Sequence, residues 1–215
     1  MPKPRRPKPL RRFPPEVLDD AEVRAVIAAA RGPAATVART RALLVLLYRS
    51  GLRLNEALCL RPKDLSANAI RVLFAKGGRS RTVGIDPGAA PYLDAWLAAR
   101  AAWSPPLDAP LFCTRSGSKI ASAAVRRLLP ELARLAGVRK RVHAHGFRHT
   151  HAAQLREEGV DIGVISKQLG HTSLLTTIRY LDHVAPTRVI ETVARRSWPA
   201  GQTPPPSVPM ISLTN

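Results

Sequence analysis

The stretch that decides the fold is TVARTRALLVLLYRSGLRLNEALCLRPKDL, residues 36–65. Residues 36–49 are apolar over much of the circumference of a helix, which predicts a helix buried at the centre of the protein. Gly51 follows that helix, and the pattern of residues 54–59 predicts another helix that stops before Pro62. Two helices in close succession, the first of them buried, indicate a mainly helical core.

Outward from this stretch, the sequence predicts more helices and one β-hairpin. Asp19 and Glu22 have the spacing of a capping box, so a helix is expected to begin there. Apolar residues alternate with other residues in 70–74 and 83–85, and Gly77-Gly78 lies between them, which predicts two antiparallel strands. Further helices are expected at residues 91–102, 121–136, 145–158, 161–170, 173–181 and 186–195, and a short strand at residues 111–113. The expected fold class is mainly α with a small antiparallel β-sheet, that is, α+β.

The chain carries a large excess of positive charge. Its 34 Lys and Arg against 15 Asp and Glu give a formal net charge of +19. Such an excess opposes compaction and favours a polyanionic partner. Nucleic acid is the first candidate and an anionic membrane surface the second, while a generally arginine-rich protein is the plainest alternative.

Other features of the sequence indicate a cytoplasmic protein. No apolar run has the length of a membrane span, and residues 1–12 lack the apolar segment of a signal peptide. Cys59 and Cys113 lie in apolar runs without the spacing of metal ligands. We therefore expect two buried thiols in the reduced state.

The composition divides the chain into three parts. Residues 1–18 are rich in Lys, Arg and Pro and predict a flexible basic arm. Residues 19–195 contain the predicted helices and strands and form one domain. Residues 196–215 are rich in Pro and form a tail for which the sequence predicts no packed structure.

Two arginines are candidates for binding a phosphate. Arg53 lies just after the central helix, and Arg148 lies in the segment HGFRHT. A guanidinium presents paired planar donors that match two phosphate oxygens, and two of them could stabilise a five-coordinate phosphorus. The alternative is that each is an ordinary surface arginine. His145 precedes Arg148 by three residues, so on a helix both share a face.

All six histidines fall between His143 and His183, so a metal site has to be considered. His145 and His149 are four residues apart, as in helical zinc pairs, but the intervening Glu of the zinc metalloprotease motif is absent. Arg148 between them would also oppose a dication. We therefore expect neither a metal nor another cofactor.

A tyrosine and a lysine complete the candidates. The hydroxyl of Tyr180 could attack phosphorus if a neighbouring group removed its proton, although a lone Tyr is more often structural. Lys76 precedes the turn of the predicted hairpin, from which it could protonate a leaving oxygen or simply occupy the turn.

In order and spacing, these residues resemble the motifs of the tyrosine recombinases, also called phage-type integrases. The resemblance extends over about residues 17–195. Four segments carry it: SGLRLNEALCLRPKDL with Arg53, AKGGRSRTVGI with Lys76, HAHGFRHTHAAQL with His145 and Arg148, and LGHTSLLTTIRYLDH with His171 and Tyr180. Each motif is short, and the specificity comes from their combination. The resemblance implies the catalytic-domain fold of that family.

The resemblance also implies an activity, namely site-specific cleavage and rejoining of DNA without metal or cofactor. Tyr180 would form a 3′-phosphotyrosine link, Lys76 would protonate the leaving 5′-oxygen, and His145 would assist proton transfer. Phosphate oxygens would be held by Arg53, Arg148 and His171. The implied partners are double-stranded DNA, further copies of the chain in a tetramer on DNA, and accessory proteins. The resemblance also implies that the protein serves a mobile element and that it is cytoplasmic and associated with the nucleoid.

One departure from the family keeps two alternatives open. Members usually carry a helical DNA-clamping domain ahead of this region, whereas only the basic arm precedes Asp19 here. The chain could therefore be a DNA-binding remnant or regulator without productive recombination. A third reading is a type IB topoisomerase, which uses the same chemistry to relax DNA.

Overall fold

The computed structural model describes residues 16–73, 80–171 and 177. Every described residue lies within the first of the chain's two compact units, Met1–Val184. The helices are α1 Asp20–Ala28, α2 Ala34–Ser50, α3 Leu54–Cys59, α4 Ala90–Ala101, α5 Ser122–Leu135, α6 Ala144–Glu157 and α7 Ile162–Leu169. The strands are β1 Ala69–Val72 and β2 Arg81–Gly84, and short 3₁₀ turns occupy Pro62–Asp64 and Pro87–Ala89.

Helix α2 is the centre of the core, as its apolar sequence predicts. All residues of the run 42–48 are buried, and Leu46 and Leu47 are fully inaccessible. Helices α4 and α6 make the most extensive contacts with α2, and α1 and α3 also pack on it. These neighbours cover the run on several sides and remove a large apolar area from water. Such burial is the main stabilising contribution to the fold.

Two sequence signals at helix ends have the predicted geometry. The side chain of Asp19 accepts a hydrogen bond from the backbone N–H of Glu22 at 2.8 Å, and Glu22 accepts one from the N–H of Asp19 at 2.9 Å. Gly51 ends α2 with φ of 64°, and a Cβ at this position would lie 2.6 Å from Cδ2 of His151. Glycine is therefore required at position 51 both for the backbone angle and for space.

The two strands form the predicted antiparallel pair, in which Ala69 faces Gly84 and Val72 faces Arg81. Gln168 of α7 joins this pair to the helical core. Its amide oxygen accepts from the N–H of Gly84 at 3.0 Å, and its Nε2 donates to the carbonyls of Gly84 at 2.8 Å and Ser50 at 3.1 Å. One side chain thus holds β2, α7 and the end of α2 together.

Two local expectations were wrong. Residues 111–113 form no strand, because only an isolated bridge pairs Cys113 with Lys119. Cys113 is buried as expected, but Cys59 is only half-buried, and Nζ of Lys119 lies 2.9 Å from its Sγ. Cys59 is the last residue of α3, where the helix leaves the apolar interior.

Several predicted segments lie outside the described residues. They are the basic arm up to residue 15, the turn at residues 74–79, most of the helix predicted at 173–181, the helix predicted at 186–195 and the Pro-rich tail. Within 173–181 the structure describes Thr177, which is helical and buried. None of the helices in the described ranges is long and apolar enough to cross a membrane.

Candidate active site

Arg148 is wholly buried, which is unusual for an arginine. It lies in the first half of α6 and has 0% of its surface exposed. Its Nη1 donates to the carbonyl of Gly51 at 2.7 Å, and its Nη2 donates to the carbonyl of Leu169 at 2.6 Å. The plane of the guanidinium is thus fixed by the ends of α2 and α7, and the surface-arginine alternative is wrong for this residue.

Arg53 approaches the same place from a different segment. It is the N-cap residue of α3, and about a third of its side chain (33%) is exposed. Its Nη1 donates to Oε1 of Glu56 at 2.9 Å, and its Nη2 donates to the carbonyl of Gly170 at 3.4 Å. Since Gly170 follows Leu169 directly, the guanidinium groups of Arg53 and Arg148 meet at adjacent carbonyls at the end of α7.

Glu56 and Arg81 belong to this site, although the sequence reasoning did not select them. Glu56 is buried, and its two oxygens accept hydrogen bonds from Nη1 and Nη2 of Arg81 at 2.9 and 2.8 Å. Burial alone would raise the pKa of Glu56, but hydrogen bonds from Arg81 and Arg53 outweigh it and lower the pKa to about 2. One carboxylate therefore stays ionised and orients two arginines. The sequence signal that could have identified Glu56 is its position three residues after Arg53, which places the two side chains on the same face of a helix.

His171 lies next to the two arginines, immediately after Gly170. Its Nδ1 is 2.7 Å from the hydroxyl of Thr177. Burial is the largest cause that lowers the pKa of His171, and the charges of Arg148, Arg53, His145 and Arg81 act in the same direction, so that the pKa falls to about 4. The ring is therefore neutral near pH 7 and can hydrogen-bond without adding a charge.

His145 is the exposed member of the group. It lies in the first turn of α6, three residues before Arg148, and its ring packs edge-on against His149 with 4.6 Å between ring centroids. It lies one turn before Arg148 on α6, and its charge is among those that lower the pKa of His171. The structure thus brings together Arg53, His145, Arg148 and His171.

The positions of the other two predicted site residues are not described by the structure. Lys76 and Tyr180 lie outside the described residues, and both stay predictions. Arg81, five residues after Lys76 in the sequence, is the described residue of the hairpin that contacts the site.

The chemistry of the site fits an anionic ligand. Arg53, Arg81 and Arg148 supply three fixed positive charges, of which Glu56 balances one. In the described part of the chain, no three or more His, Cys, Asp or Glu residues are grouped so that they could hold a metal ion. Cationic groups that are fixed before the ligand arrives stabilise developing negative charge without reorganisation.

The neutral histidines predict a stability that depends on pH. Burial lowers the pKa of His151 to about 4, and the charges of Arg49 and Arg148 contribute. The unfolded chain binds protons at His151 and His171 near their usual pKa of 6.5, whereas the folded chain does not until about 4. We expect the free energy of unfolding to fall as pH drops from 6.5 to 4, because the unfolded state binds more protons there.

Denaturant unfolding at a series of pH values checks this expectation. The variant His151→Gln should lose part of the decline between pH 7 and 5, since glutamine does not titrate. Asn68→Gln, at an exposed residue without a titratable group, is the matched control and should keep the slope of the parent. A parent whose stability is flat between pH 7 and 5 would contradict the predicted pKa values.

Comparison with known proteins gives a consistent result. A sequence model of the phage integrase family matches residues 16–186. The chain is 39% identical over 183 residues to the tyrosine recombinase XerC of Rhodospirillum centenum, a match covering 84% of this chain and 52% of that protein. The chain therefore spans about half the length of the curated relatives it matches.

Solved structures show the same fold. The crystal structure of XerA recombinase superimposes with a TM-score of 0.74 and 27% identity, over 86% of this chain and 67% of that one. The XerH site-specific recombinase, in its post-cleavage complex with palindromic difH substrate, superimposes with a TM-score of 0.70 and 28% identity, over 85% of this chain and 54% of that one. The mainly helical fold with one small antiparallel sheet is confirmed.

Proposed function

Because the chain belongs to the phage integrase family, we propose that it is the catalytic domain of a site-specific tyrosine recombinase. One observation carries the proposal: Arg53 and Arg148, which are 95 residues apart in the sequence, meet at the adjacent carbonyls of Gly170 and Leu169. A site with this arrangement suits one phosphodiester group, whose charge grows when phosphorus becomes five-coordinate.

The proposed reaction exchanges one ester of phosphorus for another. The phenol oxygen of Tyr180 forms a bond to phosphorus, and the bond from phosphorus to the 5′-oxygen breaks. His145 assists removal of the phenol proton, and Lys76 gives a proton to the departing 5′-oxygen. The 3′-phosphotyrosine link keeps the energy of the broken ester, so a 5′-hydroxyl of another strand can reverse the step.

Each of the described site residues would make a different contact with the phosphate or with a residue that binds it. Arg148, held rigid by two carbonyls, and Arg53, held by Glu56, would bind the oxygens that do not leave. His171 would add a hydrogen bond without a charge, and the contact of its Nδ1 with Thr177 fixes the ring. Glu56 would prevent the two arginines next to it from turning away.

Double-stranded DNA is the proposed partner. XerH, one of the similar recombinases, is seen bound to its difH substrate. The net charge of +19 favours the same kind of polyanion. We infer a homotetramer on DNA, aided by accessory proteins and acting in the nucleoid of the cytoplasm.

Trapping of a covalent complex tests the proposal. The whole chain is incubated with fragmented chromosomal DNA of the source organism, denatured with detergent, and the DNA retained on protein is sequenced. We expect one recurring sequence, joined through its 3′ end and formed equally well with EDTA. Recovery of random DNA, or none, would contradict site-specific cleavage, and inhibition by EDTA would favour a metal site.

Loss of the proposed proton donor should slow cleavage selectively. We expect Lys76→Ala to reduce the cleavage rate by about 10²–10⁴-fold, because a 5′-alkoxide is a poor leaving group without an acid. A substrate with sulfur in place of the leaving 5′-oxygen should restore the rate, since a thiolate leaves without protonation. Lys63→Ala, at an exposed lysine, is the control and should cleave both substrates like the parent. Equal defects on both substrates would exclude Lys76 as the acid.

A further inference from the structure

A cavity lies between the start of α1 and the end of α6, and none of the residues that line it belongs to the candidate active site. Its volume is about 530 Å³, and its acidic lining residues are Asp19, Asp20, Glu157 and Glu158. We call it the acidic pocket. Four acidic residues and two basic ones line it, in a chain where basic residues outnumber acidic ones by 34 to 15.

The two basic residues of the acidic pocket already have partners. Nζ of Lys140 binds Oε2 of Glu22 at 2.7 Å and the carbonyl of Val17 at 3.0 Å. The guanidinium of Arg49 binds the carboxylate of Asp86. Neither cation is therefore available to balance the acidic residues that line the cavity.

Two of the four acidic residues are also satisfied. Asp20 accepts hydrogen bonds from the hydroxyl of Tyr48 at 2.7 Å and from Nε2 of Gln154 at 2.6 Å, and Asp19 caps α1. Glu157 and Glu158 are different, because both are exposed and neither carboxylate makes a hydrogen bond or ion pair with a residue that the structure describes; the N–H of Glu158 donates to the carbonyl of Gln154. They are the carboxylates with which a ligand would pair.

The position of these two residues adds a separate argument for a cationic ligand. Glu157 is the last residue of α6, and Glu158 is its C-cap. The C-terminal end of a helix carries partial negative charge, so carboxylates are unfavourable there and cations are favourable. A bound cation would relieve both the repulsion between the carboxylates and their repulsion from the helix end.

We propose that the acidic pocket binds residues 1–15 of the same chain, the part of the basic arm that precedes the described residues. Residues 1–15 contain six basic and no acidic side chains, so their charge is complementary to that of the pocket. These residues are also close in the sequence, because Val17 lines the pocket and Arg12 precedes Val17 by five residues. An extended chain spans about 3.3–3.6 Å per residue, so Arg11 and Arg12 can reach across the cavity.

A planar guanidinium suits the two neighbouring carboxylates, because it presents paired donors. Arg11 and Arg12 therefore bind Glu157 and Glu158. A polyanion such as DNA would compete with the pocket for the arm, and the arm would contact DNA only when DNA displaces it from the two carboxylates of Glu157 and Glu158. This inference depends on the pocket and the arm, and it stands apart from the recombinase reaction.

Carbodiimide coupling of amines to nearby carboxylates tests the proposal in the whole chain. The substitution Arg12→Lys keeps the charge and supplies a reactive amine in the arm. We expect a link from position 12 to Glu157 or Glu158, identified by peptide mass. The ion pair of Lys140 and Glu22 is an internal standard, which couples if the chain is folded.

Two controls decide how the result is read. Adding Glu157→Gln and Glu158→Gln should remove most of the link and leave that of Lys140 to Glu22 unchanged. The exposed acids Asp94 and Glu131 lie outside the pocket and should gain no link to position 12.

Mixing chains of heavy and light isotope content separates binding within one chain from binding between two. Links found mainly between a heavy and a light chain would overturn the assignment to the same chain. No link to the pocket, with the standard formed, or equal coupling to Asp94 and Glu131, would overturn the proposal itself.

Discussion

Replacing Tyr180 with phenylalanine is expected to reduce covalent capture of DNA to background. Only the phenol oxygen is lost, and without it no side chain at this position can form an ester with phosphorus. Binding of duplex DNA without cleavage should remain close to that of the parent, because the positive charge is unchanged. The measurement is the yield of protein–DNA adduct on the sequence recovered by trapping, with a nick placed to prevent rejoining.

The matched control is Tyr92→Phe. Tyr92 is exposed on α4, with 39% of its surface accessible, and it has no part in the proposed reaction. This variant should form the adduct like the parent. Adduct formation by Tyr180→Phe, or adduct peptides mapped to another residue, would remove Tyr180 as the nucleophile, even though the family assignment would stand.

Replacing Arg148 is expected to damage both the reaction and the fold. In Arg148→Ala, the carbonyls of Gly51 and Leu169 lose a charged donor inside the protein, which should cost about 2–5 kcal/mol of unfolding free energy. The same change removes a fixed positive charge from the proposed phosphate site. We therefore expect a variant with a lowered melting temperature and no measurable cleavage.

Arg148→Lys separates the two effects. Lysine keeps the positive charge, but its single ammonium cannot bind two carbonyls in the planar geometry of a guanidinium. Below its melting temperature we expect this variant to be folded by circular dichroism and to cleave about 10²–10³-fold more slowly. Arg31→Lys, at an exposed arginine, is the matched control and should cleave like the parent. Folded Arg148→Lys that cleaves like the parent would refute the role of the guanidinium.

The elements of the fold were predictable where a local cause sets them. The capping box at Asp19, the glycine that ends α2 and the paired strands on either side of Gly77-Gly78 all depend on neighbours in the sequence. The strand expected at residues 111–113 failed for the opposite reason. Its residues are apolar because they are buried by distant elements: the N–H of Leu111 donates to the carbonyl of Leu60, and Trp96 donates to the carbonyl of Leu111.

The sequence identified several residues of the site, but it did not predict their burial, their hydrogen-bond partners or their ionisation. The order of the motifs selected Arg53, His145, Arg148 and His171, and the structure brings these four together. The complete burial of Arg148 and the ionised carboxylate of Glu56 were not predictable. Both depend on packing between α2, α3, α6 and α7. A local sequence pattern does not indicate which main-chain carbonyl oxygens will lie within hydrogen-bonding distance of a long side chain.

The bonds of Arg148 have an evolutionary consequence. Its guanidinium is held by the carbonyl oxygens of Gly51 and Leu169, which every amino acid provides in the same form. Position 169 is thus free to drift among apolar side chains of suitable size without disturbing the orientation of Arg148. The orientation of Arg148 therefore depends on Arg148 itself and on the backbone path at Gly51 and Leu169, and not on which apolar side chain position 169 carries.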